Sequence, residues 1–256
     1  MNIVVFVKAV VDPDLAVDRL ASLDQPAESA ALILNPYDKN AIETALQLKE
    51  KYTGTVTAVS LGESVATEKA LREALSLGVD AGIKINGVAG AATGYILGNV
   101  PLPDIDFYLT GREAADNNQG VVGAGIAAAL GLDFIDNVDQ VELLDAGVLT
   151  LTSRWDQSEL TATYQAPVVI SVTDTVNQPR LPSFRAKIQA KKAVLTEMAP
   201  VDFLDAAGLA RVNDASVTTT FELPPTIQKT NVIFNLEDDE TAVDKLLAAL
   251  QAKHIL

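Results

Sequence analysis

No cysteine occurs anywhere in the 256 residues. Disulfides, thiolate metal sites, iron–sulfur ligation and cysteine nucleophiles are therefore all excluded. Histidine is nearly absent too, and the single copy, His254, stands at the C-terminal end, a poor place for a metal cluster or a histidine-based triad. No apolar run approaches the roughly 18 residues that a membrane-crossing helix needs, and Met1-Asn2-Ile3-Val4-Val5 has no charged leader ahead of it, so the expectation is a soluble, cytoplasmic chain without a transmembrane segment. Positive charge is scarce: 19 basic against 34 acidic residues give a net charge of −15, which opposes nucleic-acid binding and favours solubility or basic partners.

What is present is apolar residue, 48% of the chain, ample for a packed core. Asn2 to Lys8 is almost wholly apolar, as a central parallel strand covered on both faces should be. Helix-start signals coincide at Asn35-Pro36-Tyr37-Asp38, with Asn for the N-cap, Pro for the first helical position and Asp for the first turn. The helix runs on to Lys49 and Lys51 and stops before Gly54. Thr55 to Leu61 is a second strand. A helix follows from Ser64 to Gly78, with possible pairs Glu68/Arg72 and Lys69/Glu73. Ala81 to Ile85 reads as a third strand, Asn86 to Val100 as a glycine-weakened helix, and Asp104 to Thr110 as a fourth strand. Such alternation implies right-handed crossovers and a doubly wound, mostly parallel α/β sheet ordered 3-2-1-4.

The fourth strand runs into Gly111-Arg112-Glu113-Ala114-Ala115-Asp116-Asn117-Asn118-Gln119-Gly120-Val121-Val122 and then a small-residue helix to Gly131. Its glycines, Gly120, Gly123 and Gly125, are spaced G-x-x-G-x-G rather than G-x-G-x-x-G. Two readings fit: a loop and helix N-terminus that receive a phosphate, or a glycine-rich helix packed tightly on the sheet. The inferred order places this loop opposite the one after Lys8, at the switch point where open α/β sheets bind ligands, and so favours the nucleotide reading.

Beyond Gly131 three short segments, Val138–Leu144, Val148–Trp155 and Glu159–Tyr164, suggest a β-meander, and Pro167 to Val172 another buried strand. Ser183 to Lys192 carries Arg185, Lys187, Lys191 and Lys192, a basic cluster that is either a solvated helix face or a contact for an acidic partner or phosphate. The expected division is a nucleotide-binding domain over residues 1–193 and a C-terminal arm with a final helix over 194–256, the arm lying across another chain.

Several separated segments resemble the beta (small) subunit of electron-transfer flavoproteins. They are Val7 to Asp12, Asn35 to Ala41 with its helix through Glu50, Ala70 to Leu75 with Gly78, Gly111 to Asp116, and Ala166 to Val169 through Asn177-Gln178-Pro179-Arg180 to Lys192. The resemblance implies a Rossmann-like fold similar to that of adenine-nucleotide hydrolases. It also implies an electron-carrier subunit rather than a stand-alone enzyme, paired with an alpha subunit that holds the redox-active FAD. This subunit would hold AMP or, in electron-bifurcating members that take hydride from NADH, a second FAD. The implied nucleotide contacts fall at Phe6, Asn35, Pro36, Tyr37, Asp38, Leu61, Gly111, Arg112, Asp116, Asn117, Asn118, Gln119, Gly120, Val121 and Val122. Asp202-Phe203-Leu204 stands where the family usually has Asp-Leu-Gly, in a recognition loop for acyl-CoA dehydrogenase-type flavoenzymes.

Two departures bear on the cofactor. AMP-type members usually show Asn, Gln and Thr at Gly120, Val121 and Val122, so here backbone amides must serve. Bifurcating members match the small residue and the Val, but their Gln-Val-Pro-Asp after the first strand is Ala9-Val10-Val11-Asp12 here. An adenine-nucleotide hydrolase is a further alternative, disfavoured because no S-G-G-x-D-S loop is present.

Overall fold

The computed structural model describes residues 1–14, 32–145, 147–215, 231–235 and 239–255. Two compact units divide the chain, Met1–Thr219 and Thr220–Leu256. In the first, the strands are β1 (Asn2–Phe6), β2 (Ala9–Val11), β3 (Leu32–Leu34), β4 (Thr55–Leu61), β5 (Ala81–Ile85), β6 (Phe107–Gly111), β7 (Phe134–Asp145), β8 (Val148–Trp155), β9 (Ser158–Gln165), β10 (Val168–Val172) and β11 (Thr196–Met198). Its helices are α1 (Pro36–Tyr52), α2 (Val65–Leu77), α3 (Thr93–Gly98), α4 (Val122–Leu130), α5 (Phe184–Lys192) and α6 (Ala206–Asp214). The second unit contains α7 (Ala242–Ala252).

One sheet runs β11-β5-β4-β1-β6-β10-β7-β8-β9, parallel throughout except for the antiparallel meander β7-β8-β9. The inner order β5-β4-β1-β6 is the 3-2-1-4 expected from the alternation of strands and helices. β1 and β10 are buried along nearly their whole length, because helices cover the sheet on both faces and leave no place for polar alternation. One face carries Ile3, Val5, Phe107 and Leu109 against Ile42, Leu46 and Leu71; the other carries Val4, Phe6 and Val59 against Ile96, Leu97 and Ile126. Each such fully buried Leu, Ile or Phe contributes about 1.5–3 kcal/mol. Among the described residues no helix is long and apolar enough to cross a membrane, and no group of three or more acidic or imidazole side chains could hold a metal ion.

Three details differ from the sequence reading. Helix α3 covers only Thr93–Gly98 of the expected Asn86–Val100, since Gly87 and Gly90 precede it and no side chain caps it. Glu73 pairs with Lys39 of α1 at 2.8 Å rather than with Lys69, while Arg72–Glu68 forms as expected at 2.7 Å. The stretch after 194 is not bare arm: Thr196–Met198 joins the sheet beside β5, and α6 follows.

The segment between β10 and α5 is strapped to α1. The Asn177 amide donates to the Asn40 carbonyl and the Thr44 hydroxyl, at 3.0 and 2.8 Å. Arg180 reaches Glu43 at 2.7 Å and Glu50 at 2.6 Å. Burial pushes the Glu43 carboxyl up, but the Arg180 hydrogen bonds outweigh it and hold the group below its ordinary range.

Candidate functional site

Three segments meet here, the one after β1, the turn between β3 and α1, and the loop after β6, and two side chains of that turn fasten them together. Asn35, buried just before α1, donates from Nδ2 to the Glu113 carbonyl at 2.8 Å and to Asp38 Oδ1 at 2.9 Å, while its Oδ1 accepts from the Ala115 N–H at 3.1 Å. The Asp38 carboxylate accepts from the Lys8 N–H at 2.8 Å and the Gly111 N–H at 3.3 Å. Lys8 closes the ring from above, its Nζ 2.7 Å from Asp116. Asn35 therefore holds no orphan N–H of its own helix; its side chain is spent on the neighbouring loop.

Burial pushes the Asp38 carboxyl up to about 7, against the pull of Asn35, Lys8 and Gly111, whose donors favour the anion. The folded chain thus holds this proton more tightly than the unfolded chain. Its contribution to stability is complete below the ordinary carboxylate range and is lost as pH rises through about 7. The expected outcome is a stability advantage of wild type over Asp38→Asn that shrinks from pH 5 to pH 7 and is level above, read from urea midpoints. An advantage independent of pH would show that Asp38 does not titrate there.

The glycines of the stretch divide into two jobs. Gly123 and Gly125 serve packing: a Cβ on Gly123 would lie 2.7 Å from the Phe134 ring, and Gly125 lies against Gly94 where α4 crosses α3. Gly120 is different. Its φ of +62° needs glycine, and only the Arg112 carbonyl, 3.3 Å from an added Cβ, lies close. It leads into α4, whose N-cap, Val121, supplies no side-chain hydrogen bond. The first turn of a helix leaves its N–H groups without intrahelical partners, and they attract anions. Beneath them the Thr110 hydroxyl is buried without a hydrogen-bond partner, beside Gly123. Open loop glycine, uncapped helix end and orphaned hydroxyl fit a phosphate-bearing ligand.

The residues expected from the sequence are brought to this one end of the sheet, in different roles. Phe6, Asn35, Asp38 and Leu61 are buried, so they shape the crevice from behind; the Phe6 ring lies nearly parallel to Tyr108 at 6.5 Å. Arg112, Asp116, Asn117, Asn118, Gln119 and Val121 are exposed, while Pro36, Tyr37, Gly111, Gly120 and Val122 are half-buried. Lys8 and Thr110 were missed as site residues. Lys8 could have been noticed as a cation ending a buried strand; nothing in the sequence marks Thr110.

The loop at 200–204 folds differently from a free anchor. Pro200–Asp202 is a turn of 3-10 helix in which the Asp202 carboxylate accepts from the Ala199 N–H at 2.7 Å. Leu204 is buried, Phe203 packs against the core beneath α3 and α4, and Val201 is the exposed apolar residue, at 67%.

Comparison with known proteins gives one answer. Residues 26–202 match the electron transfer flavoprotein domain. An electron transfer flavoprotein subunit beta of Mycobacterium leprae is 31% identical over 243 residues, covering 86% of this chain and 88% of its own. The protein of that name from Megasphaera elsdenii is 28% identical over 281 residues, with all of both chains covered. That of Clostridium acetobutylicum is 34% identical over 188 residues, covering 70% of this chain and 71% of its own.

Proposed function

The chain belongs to the electron transfer flavoprotein family, as a beta subunit, and from that premise we propose that its crevice binds the adenylate part of a nucleotide while the alpha subunit carries the redox-active FAD. The observation that carries this is the uncapped N-terminus of α4 behind Gly120, with the Thr110 hydroxyl unpaired below it. The backbone N–H groups from Gly120 to Gly123 receive the phosphate, and Asn35 and Asp38 hold the flanking loops at fixed separation. A flavin, when bound, supplies the electron-transfer chemistry; this chain binds, orients and docks. An acyl-CoA dehydrogenase-type flavoenzyme is the proposed electron donor, meeting the loop at 200–204 through its exposed Val201 and Asp202.

AMP and a second FAD remain the two occupants, the second making the complex bifurcating. Val121 and Val122 bring no polar side chain to the phosphates, so backbone amides carry that contact whichever of the two is bound. Gly120→Asp tests the site: the substitution adds a carboxylate and a β-carbon at a left-handed position. The expected result is a loss of roughly tenfold or more in nucleotide retained by this subunit, with the alpha-subunit flavin absorbance kept. Unchanged retention would remove the phosphate from this loop.

A further inference from the structure

The basic cluster stands apart from the crevice. From Thr175 to Thr196 the sequence has no acidic residue, in a chain with 34 of them, and five cations. Arg180 is consumed by Glu43 and Glu50. Among the described residues none of Arg185, Lys187, Lys191 and Lys192 forms an ion pair, although acidic partners abound in this chain. Four unpaired cations on one short helix are not what an acidic surface leaves by default.

The same helix presents apolar side chains to solvent. Phe184 is 81% exposed and Ile188 43%, at a spacing of four that sets them on one side of the helix; Leu181, ahead of the Ser183 cap, is 92% exposed and Val194, just beyond the helix, 94%. Only Ala190 of α5 is buried. The helix is nevertheless firmly mounted. Ser183 caps its start by accepting from the Ala186 N–H at 3.1 Å, and Arg72 of α2 donates to the carbonyls of Ala190, Lys191 and Ala193 at 2.8 to 3.1 Å. Exposed Phe184 and Ile188 beside four cations, on a helix whose ends are satisfied and which Leu181 and Val194 flank, form a built surface rather than a frayed one.

We infer that the exposed face of α5, with Leu181 and Val194 at its ends, rests on an anionic lipid surface. Charge complementarity requires a negative partner. Two features favour a bilayer over an acidic protein. Lysine, three of the four cations, is depleted in protein interfaces but is the usual companion of Phe and Leu on helices lying in a membrane surface. The apolar side chains also stand on a convex helix, and the headgroup layer accepts such knobs without a matching pocket. The net charge of −15 does not prevent approach, because repulsion from distant carboxylates is screened beyond about 8–10 Å while the cations touch the surface.

The test uses the heterodimer with its alpha subunit and sedimentation with vesicles of equal parts phosphatidylglycerol and phosphatidylcholine, or of phosphatidylcholine alone. The expected result is about tenfold more protein carried down by the anionic vesicles at low salt. Binding falls away near 1 M salt, where the screening length is about 3 Å. Lys191→Glu with Lys192→Glu, and separately Leu181→Ser with Phe184→Ser, each lower it roughly fivefold or more. The two variants change different chemistry at exposed positions, so one misfolded protein leaves the other to decide. Wild-type heterodimer that stays in solution with anionic vesicles overturns the inference and assigns the face to an acidic protein surface. Binding undiminished in the folded variants overturns it equally.

Discussion

Gly111→Ala is expected to empty the crevice and to lower the thermal midpoint by roughly 5–15 °C. An added Cβ would lie 2.5 Å from Asp38 Oδ1 and 2.7 Å from both the carbonyl carbon and the Cβ of Tyr37. Backbone cannot swing aside as a long side chain can, so the end of β6 must part from the start of α1. The move also strains the Gly111 N–H bond to Asp38, and with it the contact that sets the distance between the second and third loops. Overpacking together with a weakened buried hydrogen bond costs about 2–4 kcal/mol. Gly90→Ala is the control: nothing lies within 4 Å of its Cβ, and stability should stay within about 0.5 kcal/mol of wild type. Calorimetry with nucleotide analysis reads both. A Gly111→Ala protein that melts with wild type and keeps its nucleotide would mean that the three loops are not held by the Asn35–Asp38 fastening.

Replacing Phe203 and Leu204 together by alanine should cost about 3–6 kcal/mol of folding stability, because Leu204 is buried and Phe203 covers part of the core. Val201→Ala, at an exposed position, should leave stability unchanged. Set side by side, the two variants separate pinning from docking. If the loop meets a dehydrogenase with its outer face, Val201→Ala slows electron transfer and the folded fraction of the double variant still transfers electrons. If the double variant melts with wild type and only its electron transfer falls, the inward-facing pair must leave the core to dock.

The central architecture was legible because parallel strands buried on both faces carry nearly unbroken apolar runs. Asn2–Phe6, Thr55–Leu61 and Val168–Val172 announce themselves, and the helices between them fix the order β5-β4-β1-β6. The meander was legible from its turns. What escaped were elements whose stability is tertiary. β11 is three residues, Thr196–Met198, with exposed positions and no pattern of its own; it is a strand because β5 offers it an edge. That the segments after Lys8 and Gly111 meet at one end of the sheet was legible, but not the division of labour among their residues. Sequence gives Gly120, Gly123 and Gly125 equal standing, and only packing shows that Phe134 and Gly94 claim the last two. Likewise Asp38 reads as a first-turn carboxylate that favours the helix dipole. In the fold it serves Lys8 and Gly111, residues far from it in sequence.

The most direct test is to denature the purified heterodimer and count its adenine compounds by chromatography. Binding of a nucleotide in this subunit's crevice, in addition to the FAD of the alpha subunit, predicts one FAD with one AMP, or two FAD, per heterodimer. One FAD and no second adenine compound, from heterodimer supplied with AMP and FAD during purification, would contradict it.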